Sequence, residues 1–224
     1  MKIFKYLNEN GIFYILRNRK KILTPNNFFF SVKTESLAKL ITEELNKFGN
    51  IHNTKTPISH LAYFSCNISY EDKKNITKEI LENLHFDNLL YRSCDENKLN
   101  ELMKKKFDNF VDCFNKKFNL SLEVKKNFFS YQTSQRLSKF SKFLDHLCND
   151  EIALIYKLNK ISKSVILSYF FFKKKINLKK FTNLICLESD FQKEKWGSTS
   201  EQEIMDKDLK INIKIYSIFF NNLY

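Results

Sequence analysis

Only three glycines (Gly11, Gly49, Gly197) and two prolines (Pro25, Pro57) punctuate the 224 residues of this chain. Tight turns and left-handed backbone lean on glycine, and proline breaks helices, so this scarcity predicts long uninterrupted helices. It also argues against turn-dense β-sandwiches. Glycines at 11, 49 and 197 leave no room for a G-x-x-x-x-G-K-[ST] phosphate loop, a G-x-G-x-x-G turn or a G-x-S-x-G elbow. Hydrophobic residues at 43% and charged residues at 28% describe a globular chain. Its length can bury one large core or two modest ones without disulfide staples.

Hydrophobic periodicity divides the chain. Phe13 to Leu16 and Lys21 to Leu23 flank Arg17, Asn18, Arg19 and Lys20, which predicts a hairpin. A turn at Thr24-Pro25-Asn26-Asn27 leads into a third strand, Phe28 to Val32. Thr34 then caps a helix with its apolar stripe at Leu37, Leu40, Ile41, Leu45 and Phe48, and Gly49 stands where a left-handed cap belongs. Pro57 to Cys66 is apolar and ambiguous. From about Ser69 the period is helical: Ile76, Ile80, Leu81 and Leu84; then Leu99 to Phe118; then Leu137 to Leu147. Ile152 to Phe172 holds one or two helices, and Leu178 to Phe191 a further one. In the last segment Leu209, Ile211, Ile213 and Ile215 alternate like a strand, while Ile204, Ile211, Ile215 and Ile218 fit a helix. Both readings stand on periodicity. The apolar run Val165 to Phe172 is far shorter than the roughly 18 residues of a membrane helix, so a buried helix and no membrane insertion are expected. The amino end shows no targeting segment.

Catalytic signatures are sparse. His52, His60, His85 and His146 are scattered with no zinc-ligand spacing, so neither a metal nor another cofactor is expected. Cys66, Cys94, Cys113, Cys148 and Cys186 are odd in number, widely spaced and without C-x-x-C, which suits reduced core thiols in a cytoplasm-like compartment. The net charge of +13 suggests a polyanion as partner, but only Arg17, Arg19, Arg92 and Arg136 are arginines among 38 basic residues. Joint enrichment in Lys, Asn, Ile and Phe is what AT-rich coding yields. The runs Lys104-Lys105-Lys106, Lys125-Lys126, Lys173-Lys174-Lys175 and Lys179-Lys180 fit solvated helix faces better than a nucleic-acid site, the alternative they leave open. An acidic island of Glu188, Asp190, Glu194, Glu201, Glu203 and Asp206 surrounds the chain's one tryptophan, Trp196. Paired carboxylates could serve as acid and base; a solvated helix face with i,i+4 lysines accounts for them better. Trp196-Gly197 reads as a helix end whose ring is packed or presented to a partner, with packing the commoner arrangement.

Read in order, five motifs resemble one family, the assembly chaperone of the ATP synthase catalytic head found in mitochondria and alphaproteobacteria. YILRNRKKILTP carries the strand pair and its closing Thr24 and Pro25. LAKLITEEL from Leu37 is followed by TPISHLA with Pro57, Leu61 and Ala62. DNLLYR keeps Asp87, Leu89, Tyr91 and Arg92, and FDNFVDC keeps Asp108 and Asp112. FQKEKWG keeps Phe191, Gln192, Trp196 and Gly197, with Glu201 at the position of a functional family glutamate. Departures include Asn18-Arg19 at the hairpin turn, and Phe107 and Cys113 where the family has tryptophans.

The resemblance implies an α+β fold: a small amino-terminal α+β domain of short antiparallel strands plus a helix (1–68), and a larger all-helical domain (69–224). It favours helix for the last segment. It implies a non-enzymatic chaperone, monomeric when free, that binds the unassembled ATP synthase alpha subunit and shields its apolar interface until beta displaces it. Phe191, Gln192, Trp196, Gly197 and Glu201 are the implied partner contacts; no nucleic acid or cofactor is implied. Its place would be the bacterial cytoplasm, or the mitochondrial matrix in a eukaryote.

Overall fold

The computed structural model describes residues 3–51, 55–92, 96–126 and 137–224. His52, Cys94 and Arg136 lie outside the described residues. The chain folds as two compact units, one of residues 1–75, 147–154 and 214–224, the other of residues 76–146 and 155–213.

The first unit opens on an antiparallel sheet. β1 (Phe4–Glu9) pairs with β2 (Ile12–Arg17), placing Phe4 opposite Arg17 and Glu9 opposite Ile12. The turn between them is Asn10-Gly11, both at positive φ (53° and 82°). Such a turn matches the right-handed twist of the strands, and Asn-Gly is its preferred sequence. This hairpin precedes the expected one, which is also present: β2 returns as β3 (Lys20–Lys21) through Asn18 and Arg19, again both at positive φ. The third expected strand is reduced to β4 (Ser31–Val32), which pairs with β2, and a bridge between Leu23 and Phe29. Thr24 closes the intervening turn, its Oγ1 accepting the Phe28 N–H at 3.2 Å.

One face of this sheet is covered by α1 (Glu35–Phe48), starting at a Thr34 cap that accepts the Leu37 N–H and ending at Gly49 with φ 80°. Leu37, Ala38, Ile41 and Leu45 are almost fully buried, as are Ile15 and Phe30 of the sheet. The ambiguous segment is α2 (Pro57–Asn67), with Pro57 in its first turn and Leu61 and Ala62 in the core. Thr56 supplies no side-chain cap to α2. Glu44 of α1 does so instead: its carboxylate accepts the N–H groups of Ile58 (3.3 Å) and Ser59 (2.7 Å) and the Ser59 hydroxyl (2.5 Å). Segments distant in sequence complete the unit. Ser65 donates to Asp150 at 2.6 Å, Asn149 to the Ile68 carbonyl at 2.8 Å, and Thr34 to the Asn222 carbonyl at 2.5 Å.

Helices follow: α3 (Tyr70–Leu84), α4 (Asn97–Phe118), α5 (Ser138–Asp145), α6 (Asn149–Ser162), α7 (Val165–Phe172), α8 (Leu178–Ile185), α9 (Leu187–Trp196) and α10 (Ser200–Asn221). Three of the four boundaries between the units fall inside α3, α6 and α10, and the fourth between α5 and α6. In the second unit the stripe of α4 delivers Phe107, Phe110, Phe114 and Phe118 to the core. Phe114 meets Phe140 edge-on at 5.1 Å and Tyr169 at 5.5 Å, the offset geometry aromatic rings prefer. Where one helix was expected after Leu178, two occur, separated at Cys186, which caps the end of one and the start of the next. The disputed last segment is helical throughout. Ile213 is fully buried while Ile211 is 46% exposed, although a strand would turn both to one face; a helix sets residues two apart on opposite sides. Among the described residues no helix is long and apolar enough to cross a membrane.

Candidate functional site

The corner between α9 and α10 is built by local sequence chemistry. Gly197 ends α9 at φ 79° and ψ 178°, a backbone region that is essentially glycine's own. Its N–H still reaches the Lys193 carbonyl at 2.8 Å. A capping box then starts α10: Thr199 Oγ1 accepts the Gln202 N–H (3.2 Å) and Gln202 Oε1 accepts the Thr199 N–H (3.4 Å). Ser198 donates to Glu203 at 2.5 Å. Two ion pairs hold the corner, Lys193 with Asp206 of α10 and Lys195 with Glu96 just before α4. Of the island acids, Asp206 thus pairs across helices rather than along its own helix at i,i+4.

Trp196 is 65% exposed, against the packed ring that tryptophan usually forms. It is the last residue of α9, whose buried side chain is Leu187 at the other end of the helix. Lys195 Nζ lies 4.7 Å from the ring centroid, a cation–π contact that leaves the ring open to solvent. Ile204 (62%) and Met205 (65%) are equally exposed. They stand three and four residues after Glu201, so all three share one face of α10 with Asp208. Among the described residues no ion pair or hydrogen bond reaches the Glu201 carboxylate. Phe191 and Gln192 are half-buried, the latter donating weakly to Glu188 at 3.4 Å.

The remaining motif residues form framework. Asp87 is fully buried and caps two segments at once, accepting the Leu89 N–H (3.0 Å) in its own 3₁₀ turn and the Ile166 N–H (2.9 Å) at the start of α7. Burial pushes its carboxyl up to about 6, against the pull of those N–H donors. Tyr91 donates to the His85 carbonyl at 2.8 Å. Arg92, 6% exposed, donates to the carbonyls of Leu89 and Tyr91 and pairs with Asp108. Asp112, one turn beyond Asp108, is exposed. Thr24 is buried beside exposed Pro25. The motifs therefore separate into a largely buried framework at 24–112 and an exposed corner at 196–205. Ile204 and Met205 belong to that corner without having been marked by any motif; their apolar character among acids is the signal that could have found them.

Among the described residues no group of three His, Cys, Asp or Glu side chains is placed to hold a metal ion. The corner presents open apolar side chains, one carboxylate without a partner among the described residues, and a turn set by Gly197.

A family model for the ATP12 chaperone protein matches residues 3–115, just over half of the chain. The mitochondrial protein atp12 of Schizosaccharomyces pombe is 25% identical over 217 residues, spanning 90% of this chain and 75% of that protein. Atp12 from Paracoccus denitrificans superposes with a TM-score of 0.83 at 18% identity, covering 99% of this chain and 96% of its own. A point mutant of the same Paracoccus protein gives 0.84 at 18%, covering 99% and 95%. The solved structures establish the fold, an amino-terminal sheet followed by helices. With the five ordered motifs and the matched half of the sequence, the chain belongs to the ATP12 chaperone protein family, the assembly chaperones of ATP synthase.

Proposed function

We propose that this protein is a non-enzymatic chaperone that binds the unassembled alpha subunit of ATP synthase and shields its apolar interface until beta displaces it. The observation that carries this reading is the open face of α9 and α10, where Trp196, Ile204 and Met205 are each more than 60% exposed. A subunit that will bury an apolar interface aggregates while that interface is bare. A partner offering a small apolar patch covers it with moderate affinity, and the proper subunit can then displace it. No bond chemistry is required. Gly197 sets the angle of the face, and Glu201, in the same row as Ile204 and Met205, tunes binding or release.

Co-expression with the cognate alpha subunit, scored for soluble alpha, tests the proposal. Soluble alpha should rise with this protein and fall when Ile204→Asp or Trp196→Ala is used. Glu201→Lys should change alpha retention without changing the chaperone's own melting temperature. Absence of alpha from material co-purified with the intact protein would overturn the partner assignment. Full activity of all three folded variants would overturn the assigned face.

A further inference from the structure

We propose that the amino-terminal unit carries a second binding site, for an apolar molecule or residue bearing one carboxylate. A cavity of about 310 Å³ opens beside the Phe4–Arg17 end of the sheet. Phe4, Ile22, Ile51 and Tyr63 give it apolar walls, and Arg17 is the charged group among its lining residues. That volume lies at the lower end of the range for small-molecule pockets, and polar groups form about as much of its lining as apolar ones.

Two features mark it as a built site. First, its walls are held from outside. The Asn46 side chain brackets Phe4, accepting its N–H at 3.0 Å and donating to its carbonyl at 2.8 Å, and the Tyr63 hydroxyl donates to the Leu23 carbonyl at 3.0 Å. Second, its cation is uncommitted. Arg17 makes no ion pair or side-chain hydrogen bond among the described residues; its guanidinium carbon stands 5.9 Å from the Phe4 ring centroid. Strand register places Arg17 directly opposite Phe4, so its exposed side chain stands at the edge of the cavity beside that ring. A planar five-donor fork of this kind recognises a carboxylate through paired hydrogen bonds, while the ligand's body lies against Phe4, Ile22, Ile51 and Tyr63. The same chemistry is offered by a free organic acid and by a peptide ending in an apolar residue. The site is distinct from the α9–α10 face and does not depend on the reading of that face.

Calorimetric titration of the full chain with 3-phenylpropanoate, with 3-phenylpropanamide and with N-acetyl-Ala-Ala-Phe tests it. The acid should bind saturably at one site, and the amide about tenfold or more weaker, the value of a charge-assisted hydrogen bond. Arg17→Ala should weaken the acid by a similar factor and Arg17→Lys by less, both with the native melting temperature. Tyr63→Val should lower affinity for acid and amide alike, reporting the apolar wall separately. Tighter binding of the peptide than of the free acid assigns the site to a chain terminus, and the reverse order to a free acid. Equal binding of acid and amide, indifference to Arg17→Ala, or no saturable binding of either carboxylate would overturn the proposal.

Discussion

Asp87 shows how a framework residue can carry a measurable signature. Its carboxyl titrates at about 6 in the folded chain and near the ordinary 3.8 when unfolded, because burial outweighs its N–H donors. Between those values the folded state holds the extra proton, so this residue's contribution to stability is full below about pH 4. It is lost as pH rises to about 6 and is constant above. The shift corresponds to about 3 kcal/mol. Glu35, Glu79 and Asp72, whose carboxyls are lowered by hydrogen bonds from Tyr6, Lys160 and Ser69, act with the opposite sign. The informative quantity is therefore the difference between the native chain and Asp87→Asn in urea unfolding from pH 4 to pH 7. The advantage of the native chain should shrink across that interval; a difference independent of pH would contradict the burial argument. Arg92 makes a complementary case. Arg92→Lys should still cost about 2 kcal/mol, because an ammonium cannot serve two carbonyls and Asp108 in one plane. The motif series named both residues, but it contained nothing on whether they were buried or exposed. Trp196, named by the same means, faces solvent.

At the scale of elements, the legible parts were those whose signal is local. Thr34 and Gly49 bracket α1 through hydrogen bonds a few residues long, and the stripe of α4 needs only its own period. The first hairpin was equally local, since Asn10-Gly11 is a strong turn signal, but Lys5, Asn8 and Glu9 in its first strand broke the apolar pattern. The second hairpin was found by its apolar flanks in spite of a poor turn. Arg19 there holds φ 67°, a conformation side chains resist. Arg19→Gly should therefore raise stability by about 0.5–1 kcal/mol after the unfolded chain's added freedom is counted, measured as a shift in the denaturation midpoint. The start of α2 was hidden for the opposite reason. Its cap is Glu44, 15 residues before Ser59, and no local rule reaches that far. Removing it by Glu44→Ala should cost about 1–2 kcal/mol, while Thr56→Val, which leaves that carboxylate in place, tests whether Thr56 contributes through its own contacts to the Asn50 and Ile51 carbonyls.

For the molecule as a whole, the periodicity turns helical from about Ser69, but periodicity is blind to which distant segments share a core. Residues 147–154 and 214–224 belong to the same compact unit as the amino-terminal sheet. Within that unit Phe219, Phe220 and Leu223 are almost fully buried, Asn222 accepts from Thr34, and the Tyr224 hydroxyl donates to Glu151 at 2.5 Å. These contacts span up to 188 residues, so their closure is costly in chain entropy and their loss is felt far from where the chain is cut. Deleting residues 214–224 removes three buried apolar side chains, each worth about 1.5–3 kcal/mol. The expected result is loss of several kcal/mol from the amino-terminal unit, seen as accelerated amide exchange in β1, β2 and α1. A fragment of residues 1–75 should remain largely unfolded for the same reason. Exchange in β2 and α1 unchanged by the deletion would mean that the sheet and α1 form a self-sufficient core. Two lysines of the basic excess take part in the same closure, Lys33 pairing with Asp150 at 3.9 Å and Lys73 donating to the Leu147 carbonyl at 2.6 Å. Buried apolar side chains and a few directed hydrogen bonds tie the ends of the chain together.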